Sequence, residues 1–191
     1  KMRYWAHIAP IPRSLNSFMT QSGALRKKLL ILVSILSIIL FLFVFLWPHH
    51  WLLARDDRSG AYLGMWRIQP EETFTIIYIH SVQLSPVTET YHFNASGDLI
   101  LDETLFSSYG AGLPATTPYD FEITEDSFRI YNIQLKMEHL VYRTGAVRAN
   151  HRLLIGDQDI PFTTFSKPRQ AVELTYARKP LLYHVLKEVI Q

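Results

Sequence analysis

The chain has 191 residues, room for one folded domain and an appendage. Six of its 19 basic side chains and no acidic one fall in residues 1–28, while residues 48–191 hold the other 13 with all 17 acidic ones, a mildly acidic balance without a basic stripe that excludes a nucleic-acid binder. Cysteine is absent, so disulfide staples, a lipidated-cysteine anchor and thiolate metal sites are excluded together and stability rests on packing.

In chain order, the first feature is the junction of Arg26-Lys27-Lys28 with the run LLILVSILSIILFLFVFLW at 29–47, whose 19 residues carry no charge and include 16 Leu, Ile, Val or Phe. At about 1.5 Å per residue this run is roughly 28 Å long, close to a hydrocarbon core of about 30 Å. The positive-inside rule places residues 1–28 in the cytoplasm, and Trp47 and Trp51 suit the opposite interface. A cleaved signal peptide has a shorter apolar region, about 7–15 residues, ahead of a small-residue site. The run instead continues into PHHWLL, which predicts an uncleaved membrane anchor with the main domain exported. Ser34 and Ser37 have two readings: close contacts with partner helices, or lipid-facing serines bonded back to their own helix.

Residues 48–60 read as a linker. From 61 to 178 the chain alternates on period two and breaks at Gly, Pro, Asn and Asp, which predicts short antiparallel strands. Nine are expected, at 61–68, 73–81, 87–94, 98–106, 119–124, 127–134, 138–143, 151–156 and 171–178, with a turn at Asn94-Ala-Ser-Gly97. The fold class is all-β, an antiparallel sandwich or partly open barrel. Residues 179–191 switch to helical spacing, with Leu181, Leu182, Val185, Leu186 and Val189 in one stripe behind Pro180. A short amphipathic helix capping the β-domain is one reading of it, and a partner-docking or membrane-surface helix is the other.

Four places carry the residue types of chemistry. His80 and Ser81 are adjacent, and adjacent residues of a strand point to opposite faces, so they form no nucleophile and base pair. His80, Glu89, His92, His139 and His151 are metal-ligand types at spacings that match no known ligand motif. The loop YGAGLPA, with Tyr109, Gly110, Gly112 and Pro114, lets backbone approach a ligand or partner closely, yet lacks the Lys-Ser/Thr ending of a phosphate loop. Arg148 and Arg152 flank Asn150 and His151, either as a fork for a carboxylate or as solvated cations beside a capped turn. No catalytic residue, metal ligand or cofactor follows from these patterns.

IHSVQLSPV at 79–87, SYGAGLPA at 108–115 and ANHRLLIG at 149–156, in this order after a single span, resemble a bacterial family known as domain of unknown function 1850. The resemblance extends over roughly 25–178. It implies a small membrane-anchored protein associated with TAXI-type TRAP transporters, which use an extracytoplasmic solute-binding protein and a membrane permease. The partners it implies are that permease, its solute-binding protein and the lipid bilayer, and it implies no enzyme activity. On this reading His80, Ser81, the Tyr109 to Pro114 loop, Arg148, Asn150 and His151 form one docking rim of the β-domain, while Ser34 and Ser37 meet permease helices. A membrane-tethered periplasmic binder of a small ligand or metal is the alternative.

Overall fold

The computed structural model describes residues 13–107, 117–125, 127–145 and 148–190. Two compact units divide the chain, Lys1–Trp47 and Pro48–Gln191.

The described residues of the first unit form a helix, α1 (Arg13–Leu46), of 34 residues. Its segment Leu25–Leu46, 22 residues, is long and apolar enough to cross a membrane, and at about 1.5 Å per residue it measures roughly 33 Å. Leucine, isoleucine and phenylalanine side chains are exposed on every side of it, as lipid rather than a one-sided protein core demands. Phe41 stacks on Phe45 with ring centroids 4.3 Å apart, and Phe43 lies 4.7 Å from Trp47, both at the four-residue spacing that aligns side chains on a helix. The helix stops because Pro48 has no amide hydrogen to continue the ladder. It begins well before the apolar run, through a polar stretch that gave no helical pattern, because extending a helix is far easier than nucleating one.

Among the described residues, the second unit has twelve strands, β1 (Pro48–Asp56), β2 (Tyr62–Arg67), β3 (Thr73–Ile79), β4 (Pro86–Phe93), β5 (Leu99–Phe106), β6 (Asp120–Ile123), β7 (Phe128–Tyr131), β8 (Leu135–Met137), β9 (Val141–Arg143), β10 (Arg152–Ile155), β11 (Gln158–Pro161) and β12 (Ala171–Pro180), then helix α2 (Leu181–Ile190). A four-stranded sheet has the order β2-β1-β12-β9 and an eight-stranded sheet the order β11-β10-β3-β4-β5-β7-β6, with β8 also paired to β5. All pairings are antiparallel. Leu52 and Ala54 of β1 and Val172 and Leu174 of β12 face Phe74 and Ile76 of β3, Tyr91 and Phe93 of β4, and Leu153 and Ile155 of β10 in one buried core. Two sheets closed over such a core make a sandwich, and each fully buried Leu, Ile or Phe contributes about 1.5–3 kcal/mol.

The segment expected to be a linker is instead the strand at the heart of the smaller sheet. Pro48 to Asp56 pairs along its whole length with β12. Its other face is covered as well: Trp51, Leu53, Met65 and Ala177 form a second buried group against which Leu181 and Tyr183 of α2 pack. A strand buried on both faces shows a continuous apolar run and no alternation, which is why Trp51-Leu-Leu-Ala54 gave no strand signal. The expected strand at 138–143 is also corrected. The chain changes sheets there, with β8 on β5 and β9 on β12. Strand β11 was not anticipated; it returns on β10 through a turn at Gly156 and Asp157, with Gly156 at φ 54°.

The turn after β4 forms as its residues predict. Asn94 Oδ1 accepts the amides of Ser96 and Asp98, both at 2.9 Å, and Gly97 has φ 84°. A Cβ on Gly97 would sit 2.6 Å from Cδ1 of Tyr176 on β12. Gly97→Ala therefore meets both a left-handed backbone and an aromatic wall, and is expected to destabilise the domain by about 1–3 kcal/mol. Urea unfolding of the full chain in detergent, followed by tryptophan fluorescence, measures this.

Candidate functional site

One end of the larger sheet gathers several of the singled-out residues. Strand β3 ends at Ile79, and the chain turns through residues 80–85 before β4. His80 N donates to Ser85 O at 2.9 Å and Leu84 N donates to His80 O at 2.9 Å, while His80 Nδ1 faces the amides of Val82 and Gln83 at 3.4 Å each. The imidazole thus braces its own turn, and Ser81 is exposed beside it. Ile79 N donates to Ala149 O at 2.8 Å, which ties the turn to the corner at 148–151. Arg148 and Asn150 are exposed there, and Asn150 adopts φ 41°, a left-handed conformation asparagine tolerates better than most residues. Strand β5 ends at the same edge, since Phe106 pairs with Val87 and Val87 with Tyr78. Tyr109, Gly110, Gly112 and Pro114 lie outside the described residues.

His151 points inward. Its ring stacks on Tyr78 at 5.4 Å and lies 5.7 and 5.6 Å from Tyr142 and Phe162. Nδ1 faces the Gly145 amide at 3.3 Å, so the neutral ring carries its hydrogen on Nε2. Burial pushes its pKa below the ordinary histidine value. Arg152 does form a fork on a carboxylate, but on Asp159 across its own hairpin, at 2.7 and 2.5 Å.

Behind this corner lies a constellation the sequence reading missed. Glu89 of β4 points to the core side of its strand, where its Oε2 accepts the phenol of Tyr142 and, at 3.3 Å, that of Tyr91; the two phenols are 2.9 Å apart. Tyr78 also hydrogen-bonds Glu89, and burial followed by the Glu89 charge pushes its pKa up to about 12. Burial first and Glu89 next raise Tyr91 and Tyr142 as well. All three phenols therefore stay protonated and donate to one carboxylate, so the cluster is a fixed set of donors rather than an acid and base pair. The signal was present in the alternation: Glu89 shares its face with Tyr91 and Phe93, and an inward carboxylate requires donors.

On the outer face of the same sheet, His92 is held between Asp102, at 2.6 Å from Nδ1, and Glu71, at 3.3 Å from Nε2. His139 is exposed and lies 3.8 Å from Glu173. Among the described residues no three His, Asp or Glu side chains converge in a metal-holding group. An open cleft of about 660 Å³ lies elsewhere, between residues 62–66 of the edge strand β2 and the segment of Ile160, Thr163, Phe165 and Lys167. In the membrane-type helix, Ser37 Oγ donates to Val33 O at 2.8 Å, the self-satisfied alternative for that serine; Ser34 is exposed.

Fold and site together describe a rigid β-sandwich whose loops converge at one end, following a helix able to cross a bilayer. Residues 74–162, just under half of the chain, match the family model of Domain of unknown function (DUF1850). The match is narrower than the expected 25–178. It takes in almost all of the eight-stranded sheet and the three motifs, and leaves out β1, β2, β12 and both helices. No curated protein and no solved structure matches the chain.

Removing one phenol leaves Glu89 short of a donor, so Tyr142→Phe is expected to destabilise the domain by about 1–3 kcal/mol in chemical denaturation. The lowered pKa of His151 means that the unfolded chain binds the proton more readily. Its contribution to stability is complete above the unfolded value of 6.5 and is lost as pH falls from there through the depressed folded value. His151→Gln should flatten that part of the stability profile relative to the parent chain, a difference that urea titrations from neutral to mildly acidic pH will read.

Proposed function

We propose that this chain is a non-enzymatic accessory subunit of a TAXI-type TRAP transporter. Leu25–Leu46 anchors it in the bacterial inner membrane, the basic N-terminal segment is cytoplasmic and the sandwich is periplasmic. There it docks on the permease and on the solute-binding protein. The observation that carries this reading is the absence of a leash: Trp47 alone separates the end of α1 at Leu46 from β1 at Pro48. A domain tethered by one residue stays at the bilayer surface, within reach of a membrane partner. Docking also suits the braced turn at 80–85 and the corner at 148–151, since binding residues are commonly carried on loops held by a rigid scaffold. The transporter assignment comes from the family resemblance of the three motifs. The Arg26-Lys27-Lys28 flank supports the orientation.

The alternative, a tethered binder of a small ligand or metal, is favoured by the cleft beside β2, whose volume falls in the usual range for ligand sites. Affinity purification of the full chain from native membranes in mild detergent, with mass spectrometry of what accompanies it, separates the two. The permease or its receptor should be recovered in stoichiometric amount, and a several-fold loss is expected when Ser34→Leu and Ser37→Leu are combined. Consistent recovery of the chain alone, or with bound metal that disappears in His80→Ala and His151→Ala, overturns the subunit reading. Survival of the sandwich in spheroplasts treated with protease overturns the orientation.

A further inference from the structure

Helix α2 is turned the opposite way from a capping helix. At 3.6 residues per turn, Leu182, Val185, Leu186 and Val189 fall on one face, and they are 39%, 41%, 50% and 77% exposed. The side that touches the sheet is the other one: Leu181 and Tyr183 pack on the group around Trp51, and the His184 ring lies 5.2 Å from Trp51. Lys187 also sits on this second side, its Nζ 5.8 Å from the Tyr183 ring. A single exposed leucine needs no cover, whereas four aliphatic side chains on one face of a helix make a patch that does.

Strand register identifies the cover. The terminal pair of β1 and β12 is Pro48 with Pro180, so α2 starts beside Pro48, and Pro48 follows the last residue of the apolar span, Leu46, by two positions. Paired antiparallel residues are about 5 Å apart, and two residues of chain reach about 7 Å. By connectivity alone, whatever the orientation of the span, the first turn of α2 begins within roughly 16 Å of the last residue of the apolar run. Arg178 and Lys179 precede the helix, and Lys179 and Lys187 both lie over the Tyr183 ring, on the side away from the apolar face. Such an arrangement, with aliphatic residues on one side and Lys or Arg on the other, is the pattern of helices that lie in the headgroup region.

We propose that α2 is an interfacial helix. Leu182, Val185, Leu186 and Val189 seat among acyl chains next to the exit of the span, with Arg178 available to headgroup phosphates. The sandwich is then attached to the bilayer at two points. This inference rests on the reading of Leu25–Leu46 as a membrane span and is independent of any transporter partner.

The natural lack of cysteine makes the test direct. Val185→Cys, Val189→Cys and, on the exposed β10–β11 turn, Asp157→Cys are each labelled with an environment-sensitive fluorophore in the full chain. The labelled proteins are reconstituted into vesicles of phosphatidylethanolamine and phosphatidylglycerol. Labels at 185 and 189 should be quenched several-fold more than that at 157 by doxyl-bearing lipids and should resist aqueous iodide. Iodide access equal to that at 157 overturns the proposal, and so does protection from both quenchers, which indicates a protein cover such as a second copy. Failure of the chain to float with vesicles removes the span reading and the interfacial helix together. All three sites are exposed in the folded domain, so the substitutions leave its core intact.

Discussion

The pairing of β1 with β12 is the constraint on which the rest of the molecule depends. Nine residue pairs, from Pro48 with Pro180 to Asp56 with Val172, join segments more than a hundred residues apart. Those pairs create the centre of the smaller sheet. They present Leu52, Ala54, Val172 and Leu174 to the core and Trp51, Leu53 and Ala177 to the opposite side. They also bring the two ends of the domain together, where one leads back to the apolar helix and the other leads on to α2. Without this ladder the larger sheet has no second layer to bury its Phe74, Ile76 and Phe93 face.

Polar groups inside the sandwich follow a consistent rule. Each inward or buried polar side chain is matched with a specific partner: Glu89 with phenols, Thr144 with Ser166 at 2.7 Å, and Ser166 in turn with the Phe162 carbonyl at 2.7 Å. The irregular piece of the larger sheet obeys it too. β5 carries one extra residue at Asp102, and β7 and β8 run along it as a strand interrupted at 132–134. Asn132 and Gln134, both at positive φ, donate their amides to Asp120 and Asp102, each at 2.6 Å. Carboxylates held in this way fix backbone conformations that these residues would otherwise resist.

Most strands were legible because their alternation is clean. In β3, β4 and β10 one face meets the core and the other is less covered, so Phe74, Ile76, Tyr91, Phe93, Leu153 and Ile155 stand out at every second position. The central strand was hidden for the opposite reason, since burial of both faces erases the period. β11 was hidden because Gln158-Asp-Ile-Pro161 is polar and pairs at an edge. The corner histidines were found by residue type, but their roles were not, because inward or outward direction at a turn depends on local φ and on which amides the ring meets. The cluster around Glu89 joins β3 and β4 to the β9 edge across the core. Only its alternation was visible in one segment, while its contact with Tyr142 lies 53 residues away.

Strand order also governs how the protein comes into being. β1 is the first strand to emerge, and its principal partner is the last. Until residue 180 is available, a segment greasy on both sides has only β2 to lean on and presents an open hydrogen-bonding edge, the state in which strands of different molecules find one another. Long-range pairing of this kind is slow. Newly made chains thus pass through an interval of vulnerability before the ladder closes, and a stop codon shortly before Ala171 would leave an incomplete sheet primed to self-associate rather than a slightly shortened domain.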